Sequence, residues 1–127
     1  MQTANLYEHY KSQSLQTLTQ GELVVKLLEE ASKQVGMAIF LETSNAVQSF
    51  NCIVKARKII SALKGSLDIN YAISIELNDM YLFIIDNLNK ANANKDVTLM
   101  KQLLGLINEL KVTFKQADRI ARSGEHK

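Results

Sequence analysis

The chain has 127 residues, a net charge of +2 at neutral pH, no proline, five glycines and one cysteine. This length suffices for one domain with a hydrophobic core, and a chain without proline favours a few long helices. The near balance of charge gives little reason to expect nucleic acid or an anionic membrane as a partner. No apolar stretch approaches the roughly 18 residues that insertion into a membrane requires.

The predicted compartment follows from the N-terminus and from Cys52. The first residues carry neither a basic region nor an apolar core of the secretory type, so we expect no secretory signal. The single Cys52 cannot form an internal disulfide and fits a reducing compartment. These features predict a soluble, cytoplasmic protein in which Cys52 is a small core residue.

Residues 1–18 are predicted to form an N-terminal arm outside the core. The segment is polar but carries spaced large side chains, among them Tyr7, Tyr10 and Leu15. Tyr7 and Tyr10 lie three residues apart, so one helical turn would place them on the same face. Two interpretations stay open, a tether that fastens to the bundle and a cover that leaves a groove when a partner helix arrives.

Four helices are predicted over residues 20–41, 45–64, 71–91 and 97–121, because apolar residues recur there at spacings of three and four. A capping box at Thr19–Glu22 marks the first start, and Asn45 and Asp96 are candidate N-caps. Gly65 is placed to end the second helix in a left-handed C-cap. The apolar side chains predicted to face the core are Leu23, Val24, Leu27, Leu28, Ala31, Val35, Ala38 and Ile39 in the first helix, Ala46, Phe50, Ile53, Ile60 and Leu63 in the second, Ile73, Leu77, Met80, Tyr81, Ile84 and Leu88 in the third, and Met100, Leu103, Ile107, Leu110, Phe114, Ala117 and Ala121 in the fourth.

The short joints between these helices predict an all-α fold, an antiparallel up-down four-helix bundle with an N-terminal arm. The bundle would take residues 19–122 and leave 123–127 as a flexible tail. Chemistry-bearing residues are sparse in this arrangement. His9 lies in the arm and His126 in the tail, which excludes a helical di-metal site, and no glycine-rich phosphate loop occurs. We therefore expect no enzyme, no metal and no cofactor.

The third predicted helix carries more apolar residues than one core face needs. Leu82, Phe83, Ile84 and Ile85 are consecutive, and consecutive residues lie about 100° apart around a helix. They cannot all point into one core, so some should face a groove, the arm or a second chain. A helix buried on two sides is the alternative.

Several segments resemble one known family. The arm segments Asn5–Tyr10 and Leu15–Thr19, the stretch Lys55–Ile60, the turn Ser66–Asp68 and the pair Met80–Tyr81 match its motifs in order and spacing. The chain thus resembles the FliS family, the flagellin-specific export chaperones of bacteria. It departs from the family pattern at Gln20, where proline is usual, at Leu28, where tyrosine is frequent, and at Phe114, where tryptophan is usual.

The resemblance implies a chaperone that binds the disordered C-terminal segment of flagellin. It would prevent premature polymerisation and bring flagellin to the flagellar type III export gate, whose components are further candidate partners. By the same resemblance, the arm residues Tyr7, Tyr10 and Leu15 would cover the groove or contact the client. An adaptor or regulator that binds another amphipathic helix is the main alternative.

Residues of the bundle itself complete the predicted partner site. Ile59, Leu82 and Phe83 are proposed from the apolar width of their helices. Lys55 and Arg57 are candidates for polar contacts at the rim, since Arg57 falls on the apolar line of its helix. Solvated faces are the alternative for these two, because long charged side chains usually keep their heads in water.

Overall fold

The structure is a computed structural model that describes residues 20–68 and 73–125. Within these ranges four helices account for all regular secondary structure: α1 (Gln20–Leu41), α2 (Ala46–Gly65), α3 (Ile73–Asn94) and α4 (Val97–Glu125). The predicted arm, including Tyr7, Tyr10 and Leu15, lies outside the described residues. The helix bounds agree closely with the predicted ones, except that α3 continues to Asn94 and α4 to Glu125. The division into arm, bundle and tail stays a prediction.

The ends of the helices are fixed by local hydrogen bonds. The Asn45 side chain accepts from the backbone N–H of Gln48 at 3.0 Å and caps α2, and the Asp96 carboxylate accepts from the N–H of Leu99 at 3.0 Å at the start of α4. Both predicted N-caps are therefore confirmed. Lys95 has a φ of 53°, the left-handed conformation that ends α3.

The predicted left-handed cap at Gly65 is wrong. None of the described glycines has a positive φ, and α2 is capped instead by Ser66, whose φ is −92°. The Ser66 N–H donates to the carbonyl oxygens of Ala62 and Leu63, at 3.1 and 3.2 Å, and its hydroxyl donates to Leu63 at 2.8 Å. A serine that satisfies the last carbonyls in the right-handed conformation makes a left-handed glycine unnecessary.

The helices form a closed ring around one core, so the predicted four-helix bundle is confirmed. Helix α1 packs against α2 and α4, and α3 packs against the same two helices, while the backbones of the diagonal pairs do not approach each other closely within the described ranges. Side-chain hydrogen bonds join neighbouring helices. Ser49 donates to the Ala38 carbonyl at 2.7 Å, Ser32 to Asn108 at 2.8 Å, and Asn92 to the Phe50 carbonyl at 3.2 Å.

The core follows the predicted apolar stripes with a few exceptions. Its buried members are Leu23, Leu27, Leu28, Ala31, Val35, Ala38, Cys52, Ile53, Ala56, Ile59, Ile60, Leu63, Tyr81, Ile84, Leu88, Ala91, Met100, Leu103, Ile107 and Leu110. Ala46, Phe50, Met80 and Ala117 are exposed, against the prediction. Phe50, for example, lies about 80° around α2 from the buried Ile60, at the edge of the core-facing stripe.

Candidate partner-binding groove

A groove runs between α3 and α4, whose mutual contact is the least extensive of the four neighbouring pairs. Its volume is about 450 Å³, and its walls are formed by Glu76, Asp79, Met80 and Phe83 of α3 and by Leu106 of α4. We refer to these five residues as the α3–α4 groove.

Helix α3 forms the groove because it has two apolar faces. Positions 76, 80 and 83 repeat at spacings of four and three, which places them on one side of a helix. The core-facing residues Tyr81, Ile84 and Leu88 form a separate face and are fully buried. A single helix therefore anchors the core and leaves a second face for the groove.

The groove contains exposed apolar surface. Phe83 is 55% exposed and Met80 is 37% exposed, while Leu106 is partly buried and packs against the core. Exposed apolar patches with polar rims are characteristic of interaction sites. Methionine has a flexible and polarisable side chain, so Met80 can adapt its shape to different neighbours. The site is suited to an apolar stripe on another helix.

The charges of the groove are carboxylates. Glu76 and Asp79 are both exposed, and neither forms an ion pair with a described residue. Helix α3 carries no lysine or arginine before Lys90. Helix α2 is the opposite case, since its charged residues are Lys55, Arg57, Lys58 and Lys64.

The structure separates the partner-binding residues predicted on the bundle. Phe83 lies in the groove. Leu82 is 43% exposed but lies outside the groove, because one residue turns the helix by about 100°. Lys55 is exposed and Arg57 half-buried on α2, and neither of them lines the groove that contains Phe83.

Ile59 lies in the core instead of at a partner-facing surface. Its side chain is only 6% exposed and belongs to the buried cluster. It follows the fully buried Ala56 by three positions and precedes the almost fully buried Leu63 by four, which is the spacing of one helix face. The apolar width of α2 at this point is used for packing inside the bundle.

Four residues of the groove were missed as partner-binding candidates in the sequence. Glu76 and Asp79 read as ordinary solvated carboxylates, and Met80 fitted the core stripe of its helix. Leu106 stands apart from the heptad stripe of α4, together with Leu99 seven residues earlier. That second stripe was the available signal, since two leucines beside the heptad stripe widen the apolar face of α4 beyond what the core needs.

Two other surface features stand out. Val47, Phe50 and Val54 form an apolar line on α2, with Val47 73% and Phe50 50% exposed, and Phe40 at the end of α1 is 81% exposed. We refer to Val47, Phe50 and Val54 as the α2 flank. Their spacing of three and four places them on one side of the helix. This surface is apolar and unpaired within the described part of the chain.

A cleft of about 480 Å³ between α1 and α4 has a different character. Its residues are Glu22, Val25, Lys26, Glu29, Lys115, Asp118 and Arg119. The three acidic and three basic side chains balance one another, so the cleft favours neither an anionic nor a cationic ligand. Among the described residues, no group of three histidine, cysteine, aspartate or glutamate side chains is arranged to hold a metal ion. The described helices include none with the length and apolarity needed to cross a membrane.

Fold and groove together define a small helical bundle with an exposed apolar groove between two of its helices. The sequence matches the family described as flagellar protein FliS over residues 3–121, so the chain belongs to the FliS family. It is 27% identical to the flagellar secretion chaperone FliS of Bacillus subtilis (strain 168) over 127 residues, which cover 99% of this chain and 96% of that protein. The resemblance found in the sequence is thereby confirmed, and the family is one of flagellar export chaperones, not of enzymes.

Proposed function

We propose that this protein is a cytoplasmic chaperone for flagellin. It binds the disordered C-terminal segment of flagellin, prevents its premature polymerisation and aids its export through the flagellar type III apparatus. Membership of the FliS family and similarity to a flagellar secretion chaperone support this proposal. The observation that carries it is the α3–α4 groove, with the half-exposed Phe83 beside Met80.

The groove suits a helix better than an extended strand. Its residues on α3 span positions 76 to 83, about 10 Å along the helix axis, which corresponds to two turns of a client helix lying alongside. Bundles commonly recognise amphipathic segments in this way, through apolar residues at spacings of three, four and seven. Helices also satisfy their own backbone hydrogen bonds, so a client that folds into a helix needs only side-chain contacts.

Additional surfaces extend the proposed binding region beyond one groove. The α2 flank offers Phe50 and Val47 on another side of the bundle, and Lys55 and Arg57 lie on the same helix as polar candidates. A client that is disordered before binding can follow a long path and contact several such surfaces. Tyr7, Tyr10 and Leu15 are proposed to cover a groove or to contact the client.

Calorimetric titration with a peptide of the C-terminal segment of a cognate flagellin tests the proposal. We expect saturable binding with a negative heat-capacity change, because apolar surface is buried, and a gain of helix by circular dichroism. A peptide of the same composition in scrambled order is the control. A well-folded sample that fails to bind the flagellin peptide would contradict the proposal and favour an adaptor for some other amphipathic helix.

A further inference from the structure

We infer that the α3–α4 groove selects a client helix that carries lysine or arginine beside its apolar stripe. The inference rests on the proposed function, since it concerns the chemistry of the client segment that the groove accepts. Under this inference, charge as well as apolar shape decides which client segment binds in the α3–α4 groove.

Glu76 and Asp79 are placed to contact charged residues beside the apolar stripe of a client helix. Glu76 precedes Met80 by four residues, and Asp79 precedes Phe83 by four, so each carboxylate lies one helical turn from an apolar residue of the groove. A client helix whose apolar side chains reach Met80 and Phe83 therefore brings its flanking residues next to Glu76 and Asp79. Both carboxylates are exposed and keep their charge available for such a contact.

The opposite wall supplies no positive charge. One turn to either side of Leu106, α4 carries Gln102, Leu103, Glu109 and Leu110. Glu109 adds a third carboxylate on the same helix, and α3 has no lysine or arginine before Lys90. Because none of these described positions on α3 and α4 is a lysine or arginine, the groove attracts cations and repels an apolar stripe that is flanked by glutamate.

Charge also distinguishes a basic client helix from two other candidate occupants of the groove, the N-terminal arm and a second copy of the chain. Residues 1–19 contain one lysine, Lys11, and one glutamate, Glu8, so this segment offers no excess of positive charge. Helix α2 of another copy is basic and has exposed apolar residues, which makes self-association the competing arrangement. That arrangement would give a dimer in a solution of the protein alone, whereas a groove that accepts only a client would leave the protein alone as a monomer.

Two synthetic helical peptides test the inference on the full chain. They share one leucine stripe and differ only in the flanking positions, which are lysine in one and glutamate in the other. We expect the lysine peptide to bind about tenfold more tightly at low salt, since each exposed ion pair contributes a few-fold and each like-charge pair opposes binding. The difference should shrink as salt is added, because salt screens exposed charges.

Charge reversal then locates the effect in the groove. The double variant E76K/D79K should prefer the glutamate peptide. In a matched pair of single variants, E76K should lose part of the preference for lysine, whereas E29K, which makes the same change of net charge at an exposed position of α1, should keep it. Equal binding of the two peptides by the wild type, or the same shift in E76K and E29K, would overturn the inference.

Two further measurements complete the test, titration with the flagellin peptide and sedimentation equilibrium. The flagellin peptide should bind E76K/D79K several-fold more weakly than the wild type. If the flagellin peptide binds the wild type and E76K/D79K equally, the charge inference fails and the chaperone proposal stands. If the flagellin peptide binds neither protein, the chaperone proposal is contradicted. The synthetic peptides still test the charge preference of the groove in that case. Sedimentation equilibrium compares the mass of the wild type with that of E76K/D79K. A dimeric wild type and a monomeric E76K/D79K would show that a second copy occupies the groove and would overturn the inference.

Discussion

Gly21, in the first turn of α1, packs against Asp118 of α4 so closely that a Cβ atom at position 21 would lie 2.8 Å from the Asp118 Cγ atom. A real Cβ atom does not approach another carbon to this distance. The contact places a carboxylate beside the N-terminus of α1, where unpaired backbone N–H groups and the helix dipole favour negative charge. Gly21 therefore leaves room for the Asp118 side chain beside the start of α1.

The variant Gly21→Ala should lower the free energy of unfolding by about 1 kcal/mol, because the cost of overpacking exceeds the gain in helix propensity. Urea unfolding followed by circular dichroism measures it. Gly36→Ala in the same helix is the control, since a Cβ atom there meets nothing within 4 Å, and it should be stabilising by about 0.5–1 kcal/mol. In an Asp118→Ala background Gly21→Ala should no longer destabilise, and a cost that persists there would contradict the contact.

Phe83→Ala should weaken binding of the flagellin peptide by about tenfold, because burial of a half-exposed phenylalanine contributes about 1–1.5 kcal/mol. Leu82→Ala is the matched control on the adjacent position, outside the groove, and should leave the affinity within about twofold. Calorimetric titration compares the two variants. Equal losses would show that the client does not distinguish the two sides of α3.

Ile59→Ala should reduce the free energy of unfolding by about 2–4 kcal/mol, since it leaves a cavity in the core. Lys55→Ala, four residues earlier on an exposed position, should change it by less than about 0.5 kcal/mol. Chemical denaturation measures both. A stability close to that of the wild type for Ile59→Ala would mean that this side chain is not packed as described, and its assignment to a partner surface would regain support.

Gln34→Met should raise the free energy of unfolding by about 1 kcal/mol. The Gln34 side chain is buried, and its Oε1 atom has no hydrogen-bond partner in the described part of the chain, although its Nε2 atom donates to Glu30 at 2.9 Å. An unsatisfied buried oxygen costs about 1–3 kcal/mol of stability. This cost exceeds the stabilisation from the one partly exposed hydrogen bond that the substitution removes. Gln102→Met on the exposed side of α4 is the control and should be neutral. Destabilisation by Gln34→Met would contradict a net cost of the unsatisfied oxygen.

Local signals in the sequence were enough to determine the helices and most of the core. Asn45 and Asp96 cap their helices as predicted, since a cap needs only a side chain and a backbone N–H three residues away. The core stripes of α1 and α4 were largely correct for the same reason, because a period of three and four residues is a local property. Gly65 shows where a local rule fails, since Ser66 supplied the hydrogen bonds that the glycine was expected to make possible.

Tertiary structure alone decided which of the surplus apolar residues line a groove. Ile84 is buried and Leu82 and Phe83 are exposed, as the sequence predicts, yet Phe83 lines the groove and Leu82 does not. The difference depends on which neighbour each face of α3 meets and on how far α4 stands from it. The sequence of one helix does not contain that distance. The same holds for Gly21 and Asp118, which are far apart in the chain and meet only because α1 and α4 close the bundle.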